Sequence, residues 1–528
     1  MYRILVSDKL GAAGLELLDQ AADVQYDLKP TMSKSEFLHI IPGYEALIVR
    51  SGTAVDEDVL AAGTHLRVVG RAGVGIDNID VDAASRRGII ITNTPTANNI
   101  ATAEQALGLM IAVSRHTVPA HISVSAGEWE RSRYMGSELY GKTLGLIGFG
   151  RIGRLVAERA QAFGMEVVAY DPFISEAVGR ELGVTLLDLE DLLPQADYIS
   201  LHTAYTTETD KIIDAAAIAQ MKDGVILVNG ARGKLIDEVA LAEALRSGKV
   251  RAAAVDVYSS EPPLDNPLIG LPNVLHTPHL GASTYEAQKE VSAQIVAQVL
   301  DALRGTDFRH AVNMPFTVGP GEYQKIRPYM RLAEKLGKLQ VSLADGPIYK
   351  VEVQACGEAV ENQVKAIAAA LLKGMLSVSY DGPLNSINAP VLAEQAGIAI
   401  SQAKGMNGVD YPNLISCRVK WDGGERVLAG VLFGGAEPRI VQLDQYKVEA
   451  RPEGVLLIMQ NEDVPGVIGQ IGTILAAYRV NIGEWRMGRN EPGGQALSFI
   501  NLDSEPSAAA LHALGEITAV TKLKLVSI

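Results

Sequence analysis

The chain has 528 residues, a length that suggests three or four domains rather than one core. Its composition, 48% hydrophobic and 21% charged, is typical of globular proteins, and the net charge of −15 argues against nucleic acid or an anionic membrane surface as a partner. The two cysteines, Cys356 and Cys417, do not suit a zinc site or a disulfide framework, so we expect no metal. No signal peptide or apolar span of about 20 residues is evident, and we therefore expect a cytoplasmic protein.

The first hundred residues predict a parallel α/β sheet. "RILVS" at 3–7 and "ALIV" at 46–49 are short apolar runs that end before polar turns, and "HLRVVGRAGVGIDNID" and "GIIITNTP" continue the pattern. A long helix is predicted over "ATAEQALGLMIAVSRH", with Asn98 and Asn99 as candidate N-caps.

A second series of short strands begins at "KTLGLIGFGRIG". It continues through "MEVVAYD", "ADYISLHT", "GVILVNGARG", "RAAAVDVY" and "NVLHTPHLG", which is typical of a doubly wound sheet. The helix predicted after "GAST" comes at the end of this series, and it could return the chain to the first domain.

A dinucleotide site is predicted at the start of the second series. Gly148, Gly150 and Gly153 form a G-x-G-x-x-G pattern between a strand and a helix, and Asp171 ends the next strand about 20 residues later, the spacing of a carboxylate that binds ribose hydroxyls. The helix N-terminus would face the pyrophosphate. Because Asp171 would repel a 2′-phosphate, NAD is expected rather than NADP.

Three polar residues follow successive predicted strands, at the sheet edge where such folds bind ligands: Arg232, Glu261 and His279. Oxidation of a secondary alcohol needs a base for the hydroxyl proton and a cation for a carboxylate and the nascent carbonyl. Taken singly, each could be an ordinary loop residue, but their joint placement favours an active site. His276, three positions before His279, has no such neighbours and is interpreted as a strand residue.

The chain resembles the D-isomer-specific 2-hydroxyacid dehydrogenases, and among them the long type with a C-terminal ACT domain. The resemblance rests on "RSGT" at 50–53, "GRAGVGIDNID" at 70–80, "NTPTANNIATAE" at 93–104, "GFGRIG" at 148–153, "NGARG" at 229–233, "DVYSSEPP" at 256–263 and "TPHLGAST" at 277–284. It implies that His279 is the acid/base, that Glu261 is its partner, and that Arg232 binds the substrate carboxylate and carbonyl oxygen. A carboxylate beside an imidazole favours the protonated ring and fixes its tautomer.

The resemblance also implies the ligand contacts. Besides the glycines and Asp171, the NAD contacts are Val74, Arg151, Ile152, Thr203, Gly230, Ala231, Arg232, Asp256, His279, Gly281 and Ala282, with Asp256 near the nicotinamide amide. The substrate contacts are Arg50, the Gly73-Val74-Gly75 turn, Asn98 and Arg131. Arg131 lies with Trp129 and Arg133 on a segment that crosses to the neighbouring subunit in this family. We hypothesise that it completes a phosphate site in trans, the alternative being a solvated surface arginine.

The C-terminal half suggests regulation. "NEDVPGVIGQIG" followed by "VNIGEW" resembles the ACT domain, a βαββαβ module that binds amino acids, and Asp463 and Asn481 match positions expected to bind L-serine. Asn461 replaces a different polar residue of some relatives, and a purely structural ACT domain is the alternative. Within the intervening region, which is linked to control by anions in the long-type enzymes, Arg439 is a candidate anion ligand, as is Arg451 just beyond it.

These inferences together predict two Rossmann-like doubly wound domains, for substrate and NAD, followed by an α+β intervening domain and a βαββαβ ACT domain. The expected boundaries are 1–97 plus 285–315 for the substrate domain, 98–284 for the NAD domain, 316–450 and 453–528. The implied activity is NAD-dependent oxidation of 3-phospho-D-glycerate, the first step of L-serine biosynthesis, by a homotetramer that L-serine inhibits. The alternatives are another D-2-hydroxyacid dehydrogenase, including one with 2-oxoglutarate reductase activity, and an NAD-sensing scaffold.

Overall fold

The computed structural model describes residues 1–317, 319, 321–405 and 411–528. The helices and strands of that part of the chain form four β-sheets, each with its own helices. No described helix combines the length and the apolar character needed to cross a lipid bilayer.

The first sheet is parallel throughout, with the strand order β2-β1-β3-β4-β5. Its strands are β1 (Tyr2–Val6), β2 (Val24–Leu28), β3 (Ala46–Val49), β4 (Val68–Arg71) and β5 (Ile90–Asn93), and its helices are α1 (Ala12–Gln20), α2 (Lys34–Ile40), α3 (Glu57–Ala62) and α4 (Val81–Arg86). Strands β1, β3 and β4 contain short, buried apolar runs because both faces of the sheet are covered there, whereas the edge strand β2 is partly exposed.

The second sheet is also parallel, with the order β12-β11-β10-β9-β6-β7-β8. Its strands are β6 (Thr143–Ile147), β7 (Glu166–Tyr170), β8 (Thr185–Leu186), β9 (Tyr198–Leu201), β10 (Val225–Asn229), β11 (Val250–Val255) and β12 (Val274–His276). The helices of this stretch are α5 (Asn99–Ser114), α6 (Thr117–Ser125), α7 (Arg151–Ala162), α8 (Glu176–Glu181), α9 (Leu189–Leu192), α10 (Ala215–Gln220), α11 (Glu238–Ser247) and α12 (Tyr285–Arg304).

Helix α12 returns to the first sheet. Its apolar face, including Ile295, Val296 and Val299, packs in one core with Ile4 and Val68 of that sheet. The helix begins where Thr284 accepts a capping hydrogen bond from the amide of Ala287. The chain therefore crosses between the two sheets twice, once through α5 and once through the loop that ends at Thr284.

The third sheet is mixed, with the order β14-β13-β15-β16-β17-β18. Its strands are β13 (Ile348–Cys356), β14 (Ala399–Lys404), β15 (Leu414–Trp421), β16 (Gly424–Phe433), β17 (Glu437–Leu443) and β18 (Tyr446–Ala450), and its helices are α13 (Glu322–Leu343), α14 (Val364–Leu376) and α15 (Asn388–Gln395). Among the described strands of this sheet, β13 and β14 form the parallel pair and the other pairs are antiparallel.

The fourth sheet is antiparallel and confirms the βαββαβ prediction. Its element order is β19 (Val455–Glu462), α16 (Val467–Ala477), β20 (Ile482–Arg489), β21 (Gln495–Leu502), α17 (Ala508–Gly515) and β22 (Val520–Ser527). The spatial order is β20-β21-β19-β22, so the first strand of the module lies inside the sheet and pairs with the last strand at its edge.

One local prediction is wrong in part. Asn98 occupies the N-cap position of α5, but its side chain makes no capping hydrogen bond, and Asn99 is the first residue of the helix itself. The Oδ1 atom of Asn98 is buried without a hydrogen-bond partner among the described residues.

Candidate active site

The site is a cleft between the carboxyl ends of the strands of the first two sheets. Its volume is about 710 Å³. Fourteen of the residues predicted from the sequence line it: Arg50, Gly73, Val74, Gly75, Asn98, Ile152, Thr203, Gly230, Ala231, Arg232, Glu261, His279, Gly281 and Ala282. A cleft at this edge of a parallel sheet is where such folds bind ligands.

His279 and Glu261 form a hydrogen-bonded pair within the cleft. The Nδ1 atom of His279 lies 2.8 Å from Oε2 of Glu261, and the other carboxylate oxygen accepts from the amide of Tyr258. Because Glu261 contacts Nδ1, Nε2 is the ring nitrogen available to a substrate. An imidazole held in this way has a fixed tautomer and can exchange a proton through its free nitrogen.

The environment keeps Glu261 ionised. Burial alone would raise the pKa of the Glu261 carboxyl, but the hydrogen bond and charge of His279, the amide of Tyr258 and the nearby Arg232 outweigh it and hold the pKa below its ordinary value. The carboxylate therefore remains negative around neutral pH and can stabilise a positive imidazole.

A buried acid supports the loop that carries His279. Asp256 is fully buried, and its carboxylate accepts hydrogen bonds from the amides of Leu280 and Gly281 and from the Thr277 hydroxyl, while its carbonyl accepts from the amide of His279. His279 itself has φ of +54°, a left-handed conformation that only surrounding contacts maintain in a non-glycine residue. Asp256 does not line the cleft, so its expected place beside the nicotinamide amide stays a prediction.

The loop that carries Arg232 is held by Asn229. The Asn229 side chain donates to the carbonyl of Arg232 and accepts from the amide of Ala231, at 2.9 and 3.1 Å. The guanidinium then reaches across the cleft, where its Nε donates at 2.8 Å to Asp77, which lies between β4 and α4 of the first sheet. Arg232 is therefore fixed by groups from both sides of the cleft.

Arg71 is a cation of the site that the sequence did not reveal. It ends β4, lines the cleft, and its buried Nε has no hydrogen-bond partner among the described residues. Burial, together with the charges of Arg232 and Arg50, lowers the pKa of Arg71 to about 10. A buried and incompletely paired guanidinium is expensive unless an anion satisfies it, so Arg71 is suited to an anionic ligand.

The loop that carries Arg50 is clamped at its backbone. The amide of Arg50 donates to Asp8 at 2.7 Å, and the Asn78 side chain donates to the carbonyls of Arg50 and Thr53 at 2.8 and 2.6 Å. The hydroxyls of Thr53 and Ser7 are 3.0 Å apart. Asp77 and Asn78 lie in the same "GRAGVGIDNID" segment as Arg71. The sequence signal that could have identified these three residues is a polar side chain close to a glycine-rich turn.

The glycine-rich turn fits a dinucleotide. Gly148 has φ of +99°, and a Cβ on Gly153 would lie 2.2 Å from the carbonyl oxygen of Gly148, so both positions require glycine. A Cβ on Gly150, the N-cap of α7, would meet only open space, which leaves room for a pyrophosphate at the helix N-terminus. Arg151 begins the helix at this point.

Asp171 directly follows β7 and contacts the glycine-rich turn, although it is not among the residues that line the cleft, so its role at the ribose stays a prediction. Its two oxygens accept from the amides of Phe149 and Phe173, at 2.9 and 3.0 Å. A carboxylate offers about four acceptor positions, so two remain for ribose hydroxyls. The bond from the Phe149 amide ties the end of β7 to the glycine-rich turn.

His202 lies beneath this turn. Its Nε2 is 2.9 Å from the Ser200 hydroxyl, and a Cβ on Gly148 would lie 2.6 Å from the carbonyl group of His202. Burial lowers the pKa of His202 to about 4, so the ring is neutral at physiological pH. The sequence offered no signal for this residue beyond its position after β9.

The two histidines of "VLHTPHLGAST" have different surroundings. The Nδ1 atom of His276 is 3.1 Å from the Tyr258 hydroxyl, and the two rings are stacked. Burial lowers the pKa of His276, and the residue does not line the cleft.

Arg131 is not brought to the cleft of its own chain. It lies in an exposed segment after α6, with its guanidinium 5.8 Å from the Trp129 ring, and Arg133 pairs with Glu130 at 2.9 Å. Trp129 is 73% exposed. A trans role for Arg131 therefore stays a prediction.

The residues expected to bind L-serine have internal partners. Asp463 accepts from the amide of Gly493 and from Arg489, and these two bonds lower the pKa of Asp463. Asn481 donates to Asp503 at 2.6 Å. Asn461 is buried, and its side chain donates to the carbonyl of Glu462.

The two candidate anion ligands are likewise paired. Nη2 of Arg439 lies 2.8 Å from Oε2 of Glu437, and Nε of Arg451 lies 3.3 Å from Oε2 of Glu484. Neither arginine lines the cleft, and within the described part of the chain neither has a contact that points to an anion.

Comparison with known proteins places this geometry in a family. The NAD-binding domain of the D-isomer-specific 2-hydroxyacid dehydrogenases matches residues 107–281, and the D-3-phosphoglycerate dehydrogenase intervening domain matches residues 325–444. The D-3-phosphoglycerate dehydrogenases of Methanocaldococcus jannaschii and Bacillus subtilis are 41% and 39% identical to the chain, and each match covers 100% of both sequences.

Solved structures match the first part of the chain. A glyoxylate reductase from Paecilomyes thermophila is 34% identical, with a TM-score of 0.55, over 59% of this chain and 98% of that one. A D-lactate dehydrogenase from Aquifex aeolicus, complexed with NAD and lactic acid, is 29% identical, with a TM-score of 0.53, over 58% of this chain and 96% of that one. With full-length relatives at about 40% identity and an NAD-binding domain of the expected kind, the chain belongs to the D-3-phosphoglycerate dehydrogenase family of NAD-dependent, D-isomer-specific 2-hydroxyacid dehydrogenases.

Proposed function

We propose that the protein oxidises 3-phospho-D-glycerate to 3-phosphohydroxypyruvate with NAD⁺, the reaction that begins L-serine biosynthesis. The observation that carries this proposal is the set of three arginines, Arg50, Arg71 and Arg232, around one cleft that also holds the His279–Glu261 pair. A substrate with a carboxylate and a phosphate needs several cations, and a hydroxyl that is to be oxidised needs a base.

In the proposed mechanism Nε2 of His279 takes the hydroxyl proton, and Glu261 stabilises the imidazolium that results. Bound NAD⁺ supplies the acceptor for the hydride that leaves the same carbon. Arg232 binds the substrate carboxylate and stabilises charge on the carbonyl oxygen as it forms. The backbone amides of Gly73-Val74-Gly75 assist at the carboxylate, because glycine allows close approach.

We assign the phosphate to Arg50 and Arg71, with Arg131 of a neighbouring subunit as a third ligand. The exposed cation of Arg131 and the exposed ring of Trp129 support a role at a subunit contact. For the dinucleotide, we assign Gly148, Gly150, Arg151, Ile152 and Gly153 to the pyrophosphate, Asp171 to the ribose, and Val74, Thr203, Gly230, Ala231, Asp256, Gly281 and Ala282 to the rest of the molecule. Asn98, whose Oδ1 lacks a partner among the described residues, is assigned to the substrate.

We further propose that the domains span residues 1–97 plus 285–315, 98–284, 316–450 and 453–528. We also propose a homotetramer that is regulated through the ACT domain. L-serine would enter beside Asp463 and Asn481, and it would have to exchange with Arg489 and Asp503. A serine dose–response of the initial rate tests this regulation. Inhibition that is lost in Asn481→Ala supports it, and a flat response contradicts it.

The activity is tested by NADH absorbance with 3-phospho-D-glycerate, D-glycerate, D-lactate and D-2-hydroxyglutarate. The proposal expects the highest kcat/KM for the phosphorylated acid, and Arg71→Ala should raise the KM for that acid far more than for D-glycerate. A higher kcat/KM for an unphosphorylated acid would make the protein a different D-2-hydroxyacid dehydrogenase. No turnover of any acid would favour an NAD-sensing scaffold.

A further inference from the structure

Asp77 forms an ion pair across the cleft that the proposed mechanism has not used. It lies between β4 and α4 of the first sheet, whereas Arg232 follows β10 of the second, and Oδ2 of Asp77 accepts from Nε of Arg232 at 2.8 Å. Both side chains line the cavity. The pair therefore joins the two halves of the site at the residue assigned to the substrate carboxylate.

The contacts of Arg232 determine which edge of its guanidinium is free. Nε donates to Asp77, and Nη1 donates to the carbonyl of Ala231 at 2.7 Å. Nη2 lies directly over Gly75, since a Cβ there would be 1.7 Å from it. The Nη2 edge thus faces the glycine turn that is assigned to the same carboxylate.

Asp77 also balances a concentration of positive charge. Arg71 is repelled by Arg232 and Arg50 and is attracted by Asp77 and Asp8. Repulsion between these arginines would move the Arg232 side chain toward solvent unless an anion held it. Asp77 is that anion, and because it contacts Nε of Arg232 it leaves Nη2 of Arg232 available.

We propose that Asp77 is a positioning residue, which holds Arg232 through Nε so that the Nη2 edge meets the substrate. This inference rests on the proposed function, because it takes Arg232 as the ligand of the substrate carboxylate. Asp77 does not touch the reacting atoms, and its effect on turnover passes entirely through Arg232.

A different role for Asp77 would change the KM in the opposite direction. If Asp77 were a stand-in that the substrate carboxylate must displace from Arg232, its removal would lower the KM. If it positions Arg232, removal misplaces the guanidinium, which raises KM and lowers kcat, because misplacement of a binding group by about 1 Å can reduce the rate about 100-fold.

The test is a double-mutant cycle on Asp77 and Arg232, measured with 3-phospho-D-glycerate and NAD⁺. Asp77→Ala should lower kcat/KM by about 10- to 100-fold, and Asp77→Asn, whose amide oxygen can still accept from Nε, should recover much of the loss. In the Arg232→Ala background, Asp77→Ala should change kcat/KM less than about two-fold. Asp82→Ala, which removes an exposed acid of α4 away from the cleft, is the matched control and should leave kcat/KM unchanged.

Three results would overturn the proposal: a lower KM in Asp77→Ala, an equal effect of Asp77→Ala with and without Arg232, or an Asp77→Asn enzyme as impaired as Asp77→Ala. NADH affinity, measured by fluorescence, shows whether each variant retains its cofactor domain. Should the wild-type enzyme turn over another D-2-hydroxy acid instead of phosphoglycerate, the proposed substrate fails, and the same cycle run with that acid still tests Asp77.

Discussion

The imidazole of His279 and the carboxylate of Glu261 are 2.8 Å apart, although 18 positions separate them in the chain. They meet because β11 and β12 are neighbours in a parallel sheet, so the loops that follow these strands leave the same edge. A lowered pKa keeps Glu261 negative. The pair is therefore a product of strand order as much as of residue type.

Replacement of the two histidines should separate catalysis from stability. His279→Ala should reduce kcat by at least about 100-fold, the usual scale for loss of a general base, with little change in NADH affinity. His276→Ala should retain kcat and lower the Tm, because it removes a partly buried ring that packs on Tyr258. A His276→Ala enzyme as inactive as His279→Ala would contradict this assignment.

The Asn78 clamp predicts a defect confined to phosphorylated substrates. Asn78→Ala removes two hydrogen bonds to the Arg50–Thr53 loop and should raise the KM for phosphoglycerate by up to about 30-fold, since each lost bond is worth about 1 kcal/mol. The KM for D-glycerate should change little. Thr53→Val, which removes a hydroxyl contact of the same loop without touching the Arg50 backbone, is the control. An equal rise for both acids would show that the loop does not serve the phosphate.

Complementation between subunits tests the trans role of Arg131. Co-expression of Arg131→Ala and His279→Ala chains would create mixed dimers in which one site has both an intact His279 and an Arg131 from its neighbour. Activity of the mixture should then exceed the sum of the separate variants several-fold. If Arg131 acts within its own chain or not at all, the mixture should show no gain.

Asp171 should determine the choice between NAD and NADP. Asp171→Asn keeps an acceptor for one of the two amides, of Phe149 and Phe173, and removes the charge that repels a 2′-phosphate. The ratio of kcat/KM for NAD⁺ to that for NADP⁺ should fall about 10-fold or more. An unchanged ratio, measured by NADH and NADPH absorbance, would refute this role.

The neutral state of His202 predicts a pH-dependent stability. Its pKa is about 4 in the folded protein and about 6.5 in an unfolded chain, so the unfolded state takes up the proton first as the pH falls. The free energy of unfolding therefore decreases as the pH falls from about 6.5 to about 4, and this contribution no longer changes below about pH 4. From about pH 7 to about pH 5 the loss is about 2 kcal/mol. The fall in Tm over this range should be smaller in His202→Gln, and an equal fall would show that other groups cause it.

The sequence was a sufficient guide to the local chemistry. Glycine spacing after an apolar strand predicted the dinucleotide turn, because close backbone approach at Gly148 and Gly153 leaves no room for a side chain. The alternation of strands and helices predicted both parallel sheets, whereas the βαββαβ module was predicted from the resemblance to the ACT domain. Asn98 shows the limit of such reasoning, since a residue type that favours N-caps stands at the cap position without capping the helix.

The residues that the sequence did not reveal are those whose role depends on a distant partner. Arg71, Asp77 and Asn78 look like ordinary polar residues of a loop until the fold places Arg50 and Arg232 beside them. The sequence by itself determined most of the elements, the glycine-rich turn and the main candidates for the chemistry, because these follow from local conformation and residue type. Only the tertiary structure decided which charges face one another across the cleft, because long-range pairing depends on strand order and on the return of α12 to the first sheet.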